Sequence, residues 1–169
     1  EPQQSGIIGP EAGGSPTAAD ALRKGAIDRL RRATEGDNNG GLWTMSGLLA
    51  DEWKSGDTFV QRVETDGRTM QNNNAELIEE YQEQHRARQS ARDAIAALLE
   101  YLPTPLRYQA EMWWVMGYAE LNLADNWCNG VPFSRLEDGV PIYDAPKTSA
   151  EGLALALSHL DSALALATE

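Results

Sequence analysis

The sequence predicts an all-α fold, an antiparallel array of amphipathic helices, and three observations carry that prediction. Apolar residues recur at three- and four-residue spacing through three long stretches. Prolines and capping residues fall between these stretches and not inside them. The middle stretch is apolar on two sides, so it must be sandwiched between neighbours. At 169 residues the chain is one ordinary domain with enough length for a real core.

Residues 1–16 form an arm rich in Gly, Pro and Ser, with one apolar knot at Ile7 and Ile8. Such a segment makes no core of its own, so it is expected to be extended and docked on this domain or another copy. Residues 17–169 form the single helical domain. Ser15 or Thr17 caps a first helix, Pro16 suits its opening turn, and Leu22, Ala26, Leu30 and Ala33 make one stripe. Gly36-Asp37-Asn38-Asn39-Gly40-Gly41 ends it and reads as a turn, since it lacks the alternating acids of a calcium loop. A short helix follows over 42–53, with Leu42, Met45, Leu49 and Trp53 on one side. Residues 54–74 are polar and rich in turn signals.

Asn74 caps a long helix over 75–102, whose apolar positions include Leu77, Tyr81, Ala91, Ile95 and Leu98. Its charged residues Glu79, Glu80, Glu83, Arg86 and Arg88 are assigned to other faces. Pro103 and Pro105 separate it from the helix at 105–127. That helix carries one stripe of Leu106, Ala110, Trp113, Gly117, Leu121 and Ala124, and a second of Met112, Val115, Ala119 and Leu123. Gly117 is expected to permit close helix approach. A long irregular loop at about 129–147 echoes itself in Gly130-Val131-Pro132-Phe133 and Gly139-Val140-Pro141-Ile142, which predicts two short extended segments. Thr148 or Ser149 with Glu151 starts the last helix, with Leu153, Leu157, Leu160, Leu164 and Ala167 as its stripe.

Composition excludes several function classes. The formal charge is −12, so the average field repels phosphate backbones and nucleic acid is not an expected partner. The cluster Arg23, Lys24, Arg29, Arg31 and Arg32 reads as a solvated helix face. No run approaches the roughly 18 apolar residues of a membrane span. Cys128 is the sole cysteine and, beside Trp127, is expected to be a buried, inert thiol. His85 and His159 have no metal-pair spacing, so no metal or cofactor is expected. Asp51-Glu52 and Glu79-Glu80 are adjacent acids that point in different directions on a helix, and no phosphate loop or nucleophile elbow occurs. The chain is read as a non-enzyme.

Small and large apolar residues alternate at offsets of four and three as Ala91, Ile95, Leu98 and again as Ala156, Leu160, Ala163, with Pro103 after the first set. This looks like the second helix of a tetratricopeptide repeat, and Trp113, Met116 and Gly117 resemble its first-helix signature. The insertion at 129–147 exceeds a normal repeat turn and suggests a narrower likeness. Leu49-Ala50-Asp51-Glu52-Trp53, Gln61-Arg62-Val63-Glu64-Thr65-Asp66-Gly67-Arg68, and Tyr81 with Arg86-Ala87-Arg88 occur in order. Leu123-Ala124-Asp125-Asn126-Trp127 then leads to Gly130-Val131-Pro132-Phe133. Together they resemble the N-terminal, tetratricopeptide-like part of the SusD/RagB family of outer-membrane glycan-binding lipoproteins, over about residues 7–167. The resemblance implies a bacterial cell-surface or extracellular location after loss of an export signal, glycan capture beside a TonB-dependent transporter, and no catalysis. Family members are several times longer, and the lipid-bearing N-terminal cysteine is missing from this chain.

Sugars bind on aromatic faces, with polar side chains fixing the hydroxyls. Trp43, Trp53, Trp127 and Tyr143 with Asp144 are the candidate ligand contacts, and Trp113 and Trp114 are assigned to core packing. The partner on this reading is an oligosaccharide or the transporter. The alternative is a self-assembling helical-repeat protein whose Ile7-Ile8 arm docks on the next copy and propagates a filament.

Overall fold

The computed structural model describes residues 14–36, 40–137 and 139–167. Ile7 and Ile8, and the loop residues Asp37, Asn38 and Asn39, lie outside the described residues. The fold is all-α. The described helices are α1 (Pro16–Glu35), α2 (Leu42–Leu49), α3 (Val60–Asp66), α4 (Ala75–Tyr101), α5 (Arg107–Asn126) and α6 (Ser149–Ala167). Four short strands lie between α5 and α6: β1 (Val131–Pro132), β2 (Arg135–Glu137), β3 (Val140–Ile142) and β4 (Pro146–Lys147).

Four helices stack in sequence order, α1 on α4, α4 on α5 and α5 on α6. Contacts run in opposite senses along each pair, so neighbours are antiparallel. Gly14 faces Tyr101 while Gln84 donates to the Ala33 carbonyl. Gln84 meets Asn122, and Trp113, Gly117 and Ala124 meet His159, Leu160 and Gly152 respectively. The main core lies between α1, α4 and α5, around Leu30, Ile95, Leu98, Met112, Val115 and Met116. A smaller one, Leu123, Val131 and Phe133, sits where the strands join the bundle.

Local chemistry accounts for the ends of these elements. Ser15 accepts a hydrogen bond from the Ala18 amide at 3.2 Å, with Pro16 in the first turn of α1. Asn74 caps α4 by accepting from Leu77 N at 3.3 Å. Thr148 and Glu151 reciprocate as a capping box before α6. The strands form a nested ribbon in which β1 pairs antiparallel with β4 and β2 with β3. The two echoed segments are therefore extended, as β1 and β3, but each pairs with another strand and not with its echo.

Several expectations are corrected. The α1 stripe runs through Ala19, Ala26, Leu30 and Ala33, and Leu22 is on the outer side. Helix α2 ends at Leu49, because Asp51 adopts φ 59°, a left-handed turn; Trp53 folds back over Gly47 and is not helical. The polar segment 54–74 contains α3, whose Phe59, Val60 and Val63 are exposed and so leave no buried stripe to read. The leucine stripe of α6 is not its buried face. Gly152, Ala156 and Ala163 are buried against α5, while Leu153, Leu157 and Leu164 are exposed. The reason is steric: a Cβ on Gly117 would lie 2.9 Å from Leu160 Cγ, and one on Gly152 2.9 Å from Ala124 Cβ. At that separation Leu160 fits only because it lies over Gly117, small residues fill the rest of the α6 face toward α5, and Leu153, Leu157 and Leu164 turn outward.

Candidate functional site

Arg88 of α4 organises the end of the bundle where the ribbon attaches. Its Nε donates to Glu120 Oε1 at 2.7 Å, and its Nη atoms donate to the carbonyls of Ser134 at 2.7 Å and Phe133 at 2.8 Å. Glu120 of α5 is fully buried, and its second oxygen lies 2.5 Å from His159 Nδ1 of α6. One guanidinium thus ties three layers together: α4 to the ribbon, and through Glu120 to α5 and α6. Gln89, one residue on, clamps β2 from both sides, accepting from Leu136 N at 2.9 Å and donating to Leu136 O at 3.2 Å. A buried charge of this kind is tolerable only because every arm of the fork has an acceptor.

The ribbon so anchored forms one wall of a cleft of about 440 Å³ against α4. Tyr81, His85, Arg86 and Gln89 line the helix side, and Ser134, Arg135 and Leu136 belong to the ribbon side. A second cleft, of about 380 Å³, opens on the other flank of Tyr81 and is lined by Gln71, Asn72, Asn74, Leu77, Ile78 and Trp127. Tyr81 therefore forms the ridge shared by both. Its ring meets His85 edge-on at 4.7 Å and Trp127 edge-on at 5.5 Å, giving a contiguous three-ring surface.

The electrostatics of this surface favour an uncharged ligand. Burial and the nearby Arg88 push the His85 imidazole down to about 4, so it is neutral at physiological pH. Arg86 is paired to Glu83, and Arg135 to Glu137 at 2.6 Å and Asp144 at 3.1 Å. Both rim guanidiniums thus have their charge balanced within the chain. Gln71, Asn72 and Ser134 supply further polar atoms of the two clefts, while the amides of Gln89 and Asn74 are taken up by Leu136 and by Gln61, Glu64 and Leu77 respectively. Aromatic faces beside neutral amides and imidazole suit a polyhydroxylated ring.

The sequence-derived site residues are dispersed. Of the five, Trp127 alone lines one of the clefts described above. Trp43 is exposed on α2 and Trp53 exposed beside it, packed on Gly47. Tyr143 is 84% exposed at the end of β3, and the Asp144 carboxylate is held by Arg135. Trp113 is half-buried against the main core, but Trp114 is 47% exposed and stacks on Tyr118, so its assignment to the core is corrected. Cys128 is also exposed, since the chain leaves α5 at Trp127 and that indole takes the inward place.

Sequence reasoning missed Arg88, Glu120, Gln84 and Asn122. A signal for Glu120 and Asn122 was present: both lie within a helix apolar on two sides, where a polar residue has no solvent face to occupy. Arg88 offered less, since α4 carries many charges and nothing in their spacing separates the buried ones from the exposed ones. Among the described residues no group of three or more His, Cys, Asp or Glu side chains is placed to hold a metal ion, and no helix is long and apolar enough to cross a membrane. No family model, no curated protein and no solved structure matches this chain.

Proposed function

We propose that the chain is a non-catalytic glycan-capture module of the bacterial cell surface, of the SusD/RagB kind, working beside a TonB-dependent transporter. The observation that carries the reading is the Tyr81 ridge, with Trp127 and His85 beside it and a largely apolar cleft with a few polar side chains on each flank. A sugar ring laid on Tyr81 places its axial C–H groups on the aromatic face and its hydroxyls toward the flanking amides. Two clefts sharing one ridge fit an extended oligosaccharide better than a monosaccharide. The most strongly buried carboxylate, Glu120, is committed to Arg88 and His159 and stands behind the cleft, which fits binding without bond cleavage.

The test is a titration with neutral malto-, cello-, xylo- and manno-oligosaccharides, read by tryptophan emission and by chemical-shift changes in the protein. Binding that perturbs Trp127 and is lost in Tyr81→Ala, with thermal unfolding retained, is the expected result. Absence of binding across such a panel, or binding indifferent to Tyr81→Ala, overturns the reading.

A further inference from the structure

A groove of about 460 Å³ runs between the first turns of α5 and the last turns of α6. Ala110 and Trp114 line it from α5, and Leu160, Ala163, Leu164 and Ala167 from α6, so its walls are hydrocarbon. Trp114 stands at the inner end. Its indole stacks on Tyr118 at 5.7 Å with the ring planes 13° apart, which holds it as an end wall. The volume is that of a small-molecule pocket, apolar with few polar groups.

The outer end carries those polar groups, Arg107 and Glu111, one helical turn apart. They do not neutralise each other. Glu111 is taken by Arg23 of α1, whereas Arg107 makes no ion pair among the described residues and rests over the Tyr108 ring at 5.2 Å. Arg107 is also the first residue of α5, whose opening turn has no side-chain cap. An unanswered guanidinium and the positive end of a helix thus meet at the mouth of an apolar slot. A net charge of −12 disfavours polyanions, but a single carboxylate at Arg107 gains a charge-assisted, two-pronged hydrogen bond.

We propose that this groove binds a medium-chain fatty acid, its carboxylate on Arg107 and its alkyl chain running inward to Trp114 between Leu160 and Leu164. Residues 107–114 advance about 10 Å along α5, at roughly 1.5 Å each, which is the reach of an extended decanoate chain. An uncharged hydrocarbon would leave Arg107 unanswered, and a polyanion would find no second free cation in the lining. The site is separate from the glycan reading, because α5 begins at the groove with Arg107 and ends at the ridge beside Trp127. Either assignment can fail alone.

Decanoate, kept below its micelle concentration, is titrated into the chain and followed by calorimetry and by the indole NMR signals, with Trp114 assigned through Trp114→Phe. The expected result is one saturable site that shifts Trp114. Octanoate, two methylenes shorter, is expected to bind about tenfold more weakly. Decanol, with the same chain and no charge, is expected to bind about tenfold more weakly than decanoate, and Arg107→Gln to erase that difference with circular dichroism unchanged. Leu164→Ser, at an exposed position, weakens all three ligands. No saturable decanoate binding, binding that leaves Trp114 silent, or equal binding of decanoate and decanol by the wild type overturns the proposal. So does a Trp114 signal that responds only to protein concentration, which assigns the groove to a second copy, or only to phosphatidylglycerol vesicles, which assigns it to a membrane surface.

Discussion

Glu80 accepts a hydrogen bond from Leu42 in the first turn of α2, while its Oε2 is buried without a partner. Burial, and then the nearby Glu76, Glu79 and Glu83, push its carboxyl from an ordinary 4.5 up to about 8. Between those values the folded chain holds a proton that the unfolded chain has released, so this residue's contribution to stability is full below pH 4.5 and lost as pH rises through 8. Glu80→Gln keeps the acceptor and removes the titration. Urea unfolding of this variant at pH 5 and pH 8 is expected to show a gain of about 1–2 kcal/mol confined to the higher pH, after discounting for residual solvent screening. His85 acts in the opposite sense. Its imidazole titrates near 4 in the folded chain and near 6.5 unfolded, so its contribution is present above pH 6.5 and lost as pH falls through 4. Proton NMR of the His85 ring is expected to show one neutral form down to about pH 5, with its midpoint near 4. A midpoint at the ordinary histidine value would remove His85 from the desolvated wall of the cleft.

At the scale of elements, close packing and one buried fork decide the geometry. Gly117→Ala forces a Cβ to 2.9 Å from Leu160 Cγ and 3.0 Å from the Ala156 carbonyl oxygen, which belongs to backbone and cannot swing away. A loss of about 1–3 kcal/mol is expected, measured as a shifted urea midpoint. Arg88→Met leaves Glu120 buried with His159 as its remaining partner and frees the carbonyls of Phe133 and Ser134. The expected loss is about 3–5 kcal/mol. Amide exchange should accelerate through residues 131–147 ahead of the helices; uniform acceleration would show that Arg88 does not specifically hold the ribbon.

The helices α1, α4, α5 and α6 were legible because each buries a stripe at helical period behind a recognisable cap or, for α5, behind Pro103 and Pro105. Helix α3 was not, since its two turns leave their apolar side chains in solvent. The orientation of α6 was misread for a related reason: its leucines and its small residues both recur at helical spacing, and the larger side chains drew the assignment. Which stripe goes inward depends on the distance to α5, a tertiary quantity set by Gly117 and Gly152. The cleft was still less legible. Trp127 was marked as an aromatic at a helix end, but Tyr81 read as one apolar position among several on α4. The ribbon folds back to place Ser134, Arg135 and Leu136 beside Tyr81 only after Arg88 and Gln89 grip its backbone.

For the whole molecule, the four stacked helices give a rigid frame with two different surfaces. The ribbon end presents aromatic rings among neutral polar groups, with its guanidiniums balanced inside the chain. The α6 side presents an apolar groove with Arg107 at its mouth. The net charge of −12 fits a surface that repels polyanions while admitting neutral ligands. Glycan binding at the Tyr81 ridge is accordingly expected to vary little with ionic strength.

The most direct test of the central claim is a titration of one neutral oligosaccharide from the panel against wild type, Tyr81→Ala and Tyr143→Ala, followed by protein chemical shifts. The account predicts saturable shifts at Tyr81, His85 and Trp127 that vanish in Tyr81→Ala and persist in Tyr143→Ala. Shifts centred on Tyr143, Trp43 or Trp53, with the Tyr81 ridge silent, would contradict it.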